Sequence, residues 1–202
     1  MPPTPSKPEI LILAAGASSR MRGTDKLLEP VQGHPLIAHA ARIALASGCP
    51  VSVTLDAAQP GRAAALAGLP VRQIPVPNPA AGMTASLQAG LAALPPTAAV
   101  MVLLADMPDV TLQDLTRMLS LHASDPGLIL RGADARGAPG HPVLFPAWLR
   151  PEVMALQGDP GPREVIRLHK DRLQLVPLGS GATTDLDTPE DWAAWRARQG
   201  PK

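Results

Sequence analysis

Ile10 to Leu13 and Ala99 to Ala105 are each apolar without a break. Short runs that do not alternate with polar residues suit strands buried on both faces, as in a parallel sheet covered by helices on each side. The segments between them support that reading. Leu36, Ile37, Ala40, Ile43, Ala44 and Ser47 recur at helical spacing up to a stop at Gly48, and Val51 to Leu55 is a second strand. Gln59 to Ala67 is helical in pattern, Val71 to Val76 is a third strand, and Pro77-Asn78-Pro79 breaks the chain before a helix that follows Gly82. Thr111 to His122 reads as a helix with Leu112, Leu115, Met118 and Leu119 inward and His122 exposed at its end. Leu128 to Leu130 and Leu173 to Val176 are further strands, Arg131 to Pro142 is a loop, and Trp192 and Trp195 pack a closing helix. Alternation of this kind predicts a three-layer α/β/α domain around a doubly wound, mostly parallel sheet.

Length and charge bound the function. The 202 residues are expected to form one domain over residues 9–198 after a disordered lead-in at residues 1–8, and no repeat or linker divides them. A net charge of +1 and 2% aromatic residues leave little with which to hold nucleic acid. The proline-rich start is neither a signal peptide nor a membrane span, and the single Cys49 fits a small buried hydrophobe in a reducing compartment, so a cytoplasmic location is expected.

The chemistry begins where the first strand ends. Leu13, Ala14, Ala15, Gly16, Ala17, Ser18 and Ser19 form a small-residue loop whose backbone amides can approach phosphate oxygens, and Arg20 and Lys26 add a planar fork and a movable point charge. The Walker spacing and the dinucleotide Gly-x-Gly-x-x-Gly fingerprint are both absent. Ser86 and Thr84 stand at the start of the helix after Gly82, where they could cap it or meet a ligand. Asp106 follows the central apolar strand, at the edge where open α/β sheets bind ligands, although an aspartate there also serves as a turn former. Further on, Arg131, Arg136 and His141 share a glycine-rich stretch whose cations suit a phosphorylated acceptor. His141 could equally be a structural hydrogen bonder, and Arg163 either reaches the site or pairs on the surface.

Four motifs in order carry a resemblance that spans Ile10 to Trp195. Leu-Ala-Ala-Gly followed by Arg20-Met21 and then Lys26-Leu27-Leu28 resembles the signature loop of nucleotidyltransferases that include the molybdenum cofactor cytidylyl- and guanylyltransferases. Leu104-Ala105-Asp106-Met107-Pro108 resembles their second motif, and Gly140-His141-Pro142-Val143-Leu144-Phe145 the acceptor-side motif of molybdopterin cytidylyltransferases. Asp185-x-Asp187-Thr188-Pro189-Glu190-Asp191 resembles the third. Gly82-Met83 with Ser86-Leu87 is similar to a segment that lies against the nucleotide, and Gly158 to Arg163 to a Gly-Asp-x-Gly-Ala-Arg run in which Pro162 replaces a small residue.

The resemblance implies a Rossmann-like nucleotidyltransferase fold and transfer of CMP from CTP to the terminal phosphate of molybdopterin or the molybdenum cofactor, with release of pyrophosphate. It implies Mg²⁺ held by Asp106 and Asp187, catalytic roles for Lys26, Arg20 and Asp106, and nucleotide contacts from the loop and Ser86. Acceptor contacts would come from His141, Arg131, Arg136 and Arg163, and a molybdoenzyme or its maturation factor is the implied partner. Leu-Ala-Ala-Gly accompanies cytidine in these relatives. Arg22 and Thr24-Asp25 depart from the usual Gly after Met and Pro before Lys, and the latter looks more like the guanylyl branch. Guanylyl transfer to the same cofactor, cytidylyl transfer to a sugar or polyol phosphate, and a non-catalytic delivery protein are the competing readings.

Overall fold

The structure is a computed structural model that describes residues 7–156 and 161–200. In chain order it contains β1 (Glu9–Ala14), β2 (Pro30–Val31), β3 (His34–Pro35), α1 (Leu36–Ala46), β4 (Val51–Leu55), α2 (Pro60–Ala65), β5 (Arg72–Pro75) and α3 (Met83–Ala92). There follow β6 (Val100–Leu104), α4 (Leu112–Ser124), β7 (Ile129–Ala133), β8 (Pro139–Phe145), α5 (Arg150–Met154), α6 (Gly161–Leu168), β9 (Leu173–Pro177) and α7 (Pro189–Arg198).

Seven strands form the sheet in the order β5-β4-β1-β6-β8-β7-β9. All run parallel except β8, which pairs antiparallel with both β6 and β7. Both apolar runs lie in the middle, and their side chains divide by turns between the two faces. Ile10, Ile12, Met101 and Leu103 join a core with α1, α4 and the Trp192–Trp195 pair of α7. Leu11, Leu13, Val100 and Val102 join a second core with α3, α5 and α6. The three-layer, mostly parallel architecture expected of the sequence is therefore present. Gly90 of α3 allows close packing on β1, because a Cβ there would run into the Leu11 side chain. Cys49 is buried and unpaired, and among the described residues no helix is long and apolar enough to cross a membrane.

Three local expectations are corrected. Arg131 to Pro142 is a β-hairpin: Arg131 lies on β7, His141 on β8, and only residues 134–138 turn between them. A connection this short cannot cross over to a parallel strand, which is why β8 runs antiparallel. Its density of glycine and proline mimics a loop, yet the Asp134 carboxylate closes the turn by accepting the Arg136 and Ala138 amides at 2.9 and 2.8 Å. Secondly, His122 is 8% exposed rather than a surface group, because α4 continues to Ser124 and keeps it within the helix. Thirdly, Leu112 is 40% exposed at the first position of α4, ahead of the stripe of Leu115 and Met118 that faces the core. Pro30 to Pro35 closes as the small β2–β3 hairpin.

Candidate active site

β1 and β6 are neighbours in register, Leu13 beside Leu104, so their carboxyl ends release the small-residue loop and Asp106 side by side. The loop is shaped from beneath by Arg62 of α2, a residue that sequence reasoning passed over. Its side chain is wholly buried and donates to the carbonyls of Ala14 and Gly16, both at 2.7 Å. It also donates to Ser18 Oγ at 3.0 Å and to both carboxylate oxygens of Asp25 at 2.7 and 2.9 Å. Ser18 itself is left-handed, with φ 52°. Nothing in the local sequence marks Arg62, because its partners lie as far as 48 residues away.

Above the loop is a cavity of about 300 Å³ whose wall includes Leu13, Ala14, Ala15, Gly16, Ala17, Lys26, Ser86 and Asp106. Ser18, Ser19 and Arg20 lie off that wall, the Ser18 hydroxyl being tied to Asp25 and Arg62. α3 begins at the cavity edge. Its N-cap Gly82 (φ 89°) has no side chain to cap the helix, so the first-turn amides are left for a ligand or water.

Asp187 is brought to Asp106 by the backbone, since the Leu186 amide donates to the Asp106 carbonyl at 3.1 Å. The turn is held by the Thr188–Asp191 capping box, in which Asp191 also accepts the Asp187 amide at 3.2 Å. Lys26 Nζ then lies 2.5 Å from Asp106 Oδ2 and 2.6 Å from Asp187 Oδ1, and Arg20 reaches Asp187 Oδ2 at 2.7 Å. Burial opposes the charge on Lys26, but the two carboxylates outweigh it and hold its pKa above the ordinary lysine value. Asp185, close by, is raised by desolvation and by the same pair of carboxylates.

Two carboxylate oxygens thus converge on one cation position. Asp106 Oδ1 is buried with no hydrogen-bond partner, and among the described residues no group of three or more His, Cys, Asp or Glu side chains is placed to hold a metal ion. Such a donor set fits a hard divalent cation that takes its remaining ligands from water and phosphate, and does not fit an all-protein cage.

A larger cavity of about 490 Å³ adjoins the first and shares Leu13, Gly82, Met83 and Leu104 with it. Arg131, His141, Arg163 and Asp185 line it, over an apolar floor that includes Val102, Val143 and Phe145. Arg136 does not; it sits exposed on the β7–β8 turn. Burial, then the neighbouring Arg131, lowers the His141 pKa to about 4, although the Val102 carbonyl that its ring bonds works the other way. His141 is therefore neutral near pH 7, and its Nδ1 is buried without a partner. The cationic part of this wall is Arg131, which also donates to the Gly140 carbonyl at 3.1 Å, with Arg163. Of the run from Gly158 to Arg163, residues 158–160 lie outside the described residues and Arg163 is on α6.

Residues 10–174 match the MobA-like NTP transferase domain. The chain belongs to that family. Its fold and its family are those of nucleotidyltransferases. It is 32% identical over 189 residues to nicotine blue oxidoreductase of Paenarthrobacter nicotinovorans, covering 89% of this chain and 92% of that protein. Among solved structures, Rv0371c of Mycobacterium tuberculosis superposes with a TM-score of 0.82 at 26% identity, over 95% of this chain and 98% of that one. A complex of Rv0371c with manganese gives 0.77 at 24% identity, over 95% and 98% of the two chains. CMP:2-keto-3-deoxy-manno-octonic acid synthetase complexed with CTP, at 17% identity over 96% and 98%, shares the fold with a TM-score of 0.76.

Proposed function

We propose that this protein is a cytoplasmic, single-domain cytidylyltransferase that moves CMP from CTP to the terminal phosphate of molybdopterin or its molybdenum-loaded form. The observation that carries the reading is that Lys26 and Asp106 line the smaller cavity above the small-residue loop, with Lys26 also bonded to Asp187, while Arg131 and Arg163 line the larger cavity that adjoins it. CTP would take the smaller cavity, where the methyls of Ala14 and Ala15 narrow the room for a base, and Ser86 would meet it from α3. The acceptor would take the larger one, with its phosphate between Arg131 and Arg163 and a donor group facing the neutral His141 Nδ1. Arg136, exposed and off the cavity wall, has no part in this reading.

An oxygen of the acceptor phosphate attacks the α-phosphorus in line, the bond to the bridging β-oxygen breaks, and pyrophosphate leaves with that electron pair. The chain contributes position and charge, and no covalent intermediate on the protein is required. Asp106 and Asp187 are the residues that would hold a divalent ion, Mg²⁺ in our reading, which would neutralise phosphate charge when bound. Lys26 and Arg20, with the loop amides, stabilise the departing pyrophosphate.

The test is pyrophosphate release by the purified protein with Mg²⁺ and molybdopterin, comparing CTP, GTP, ATP and UTP. Release with CTP alone, abolished by Asp106→Ala in a protein that still melts cooperatively, is expected. Release with GTP alone would overturn the base assignment and keep the chemistry, whereas release only with a sugar or polyol phosphate would overturn the acceptor. The relative from Paenarthrobacter nicotinovorans, a nicotine blue oxidoreductase, favours one second reading, an oxidoreductase. Absence of pyrophosphate release with every nucleotide, together with reduction of nicotine blue by an added electron donor, would favour it instead.

A further inference from the structure

Arg62 has five N–H donors and five separate acceptors, so its guanidinium is fully used although no part of the side chain reaches water. All five acceptors lie between Ala14 and Asp25. A buried ion pair is seldom the cheapest way to stabilise a fold, since apolar replacements of similar volume often serve as well or better. What this pair does instead is set directions. In a planar trans peptide the carbonyl and the following N–H point to opposite sides. With the Ala14 and Gly16 carbonyls drawn down to Arg62, the amides of Ala15 and Ala17 turn the other way, and both residues line the smaller cavity. The same guanidinium grips Asp25, whose carboxylate also accepts the Leu27 amide at 3.1 Å and so caps the short turn that begins with Lys26.

We infer that Arg62, through Asp25, is a positioning residue that holds the loop amides and Lys26 in the arrangement a polyphosphate needs. The inference rests on the reading of the smaller cavity as the nucleotide site. Asp25 stands directly before Lys26, and its salt bridge to Arg62 ties that point of the backbone to the neighbouring helix.

The experiment measures binding of CTP and GTP in MgCl₂ by calorimetry, with the melting temperature of each protein alongside. Arg62→Lys keeps the charge and loses the fork. Arg150→Lys is the control, because Arg150 is also buried and bonds only carbonyls around the far end of α3, including those of Leu91 and Ala98. Both variants should melt earlier, but Arg62→Lys alone should weaken nucleotide binding by about tenfold or more, equivalent to about 1.4 kcal/mol. In turnover it should raise KM for the nucleotide more than it lowers kcat. Equal binding by Arg62→Lys and wild type, or equal weakening in the control, would overturn the inference while leaving the nucleotide site intact. A wild type that binds neither nucleotide would overturn the site reading and the inference with it. Should Arg62→Lys fail to fold, Asp25→Asn is decided by the same measurement.

Discussion

Replacing Lys26 with methionine keeps most of the stem and deletes the charge between Asp106 and Asp187. Each carboxylate oxygen lies within 2.6 Å of Nζ, so the two stand at most about 5 Å apart once the ammonium is gone. At that separation, with an effective dielectric constant of about 20, like charges repel by about 3 kcal/mol. The three side chains are only 12%, 19% and 17% exposed, which makes that dielectric more suitable than bulk water. Arg20 pairs with the other Asp187 oxygen but is itself 66% exposed, so it offsets part of the repulsion and leaves about 1–3 kcal/mol. For a chain of this size the melting temperature should fall by about 2–4 °C per kcal/mol. A divalent cation should reverse the loss, because in the variant it meets two carboxylates with no ammonium to displace. Thermal melts of both proteins across a MgCl₂ titration check this. Lys26→Met should gain more in melting temperature than wild type, while pyrophosphate release stays abolished at every concentration. Unchanged melting temperature in the variant, or an equal response of both proteins to Mg²⁺, would refute the shared cation position.

Two further outcomes follow from the geometry of β8. His141 has a folded pKa of about 4 against about 6.5 for a free imidazole. Its contribution is therefore fully present above the unfolded value and is lost as pH falls from about 6.5 towards 4, because the unfolded chain takes up the proton first. Urea unfolding at pH 7 and pH 5 should show a smaller loss of stability in His141→Asn than in wild type, and equal losses would show that His141 is not buried neutral. Gly140→Ala would drive its Cβ onto the Ala182 carbonyl oxygen, a backbone atom that cannot swing aside. Destabilisation by about 1–3 kcal/mol is expected, visible as an earlier melt, and a variant melting with wild type would contradict that contact.

The layered fold was legible because burial on both faces leaves a direct mark. Only strands covered on each side can be apolar at every position, as Ile10 to Leu13 and Val100 to Leu104 are, and the helical stripes between them state what covers them. The hairpin of β7 and β8 was not legible. Its glycines and prolines have loop composition, and the reason for Gly132 and Gly140 is close approach to the His141 and Ala182 carbonyls, which appears only after packing. His122 was misplaced because the helix was ended too early: α4 runs on to Ser124, just before Pro126 and Gly127, and keeps His122 inside it.

In the site, the residue types were legible and their partners were not. The small residues from Ala14 to Ala17, the carboxylates at Asp106 and Asp187 and the cations at Arg20 and Lys26 are the types that a polyphosphate and metal site would use, and their order carried the family resemblance. Contacts across 80 and 161 residues decided that Lys26 sits between both carboxylates, and the packing of the β7–β8 hairpin decided that Arg136 stays outside the cavity lined by Arg131 and Arg163 and that His141 is neutral. Contacts across 37 to 48 residues revealed Arg62, which in sequence is one more arginine in an alanine-rich helix. Local pattern records what each residue must do for its own strand or helix. Charge state, orientation and partnership depend on neighbours that only the closed sheet brings within hydrogen-bond reach.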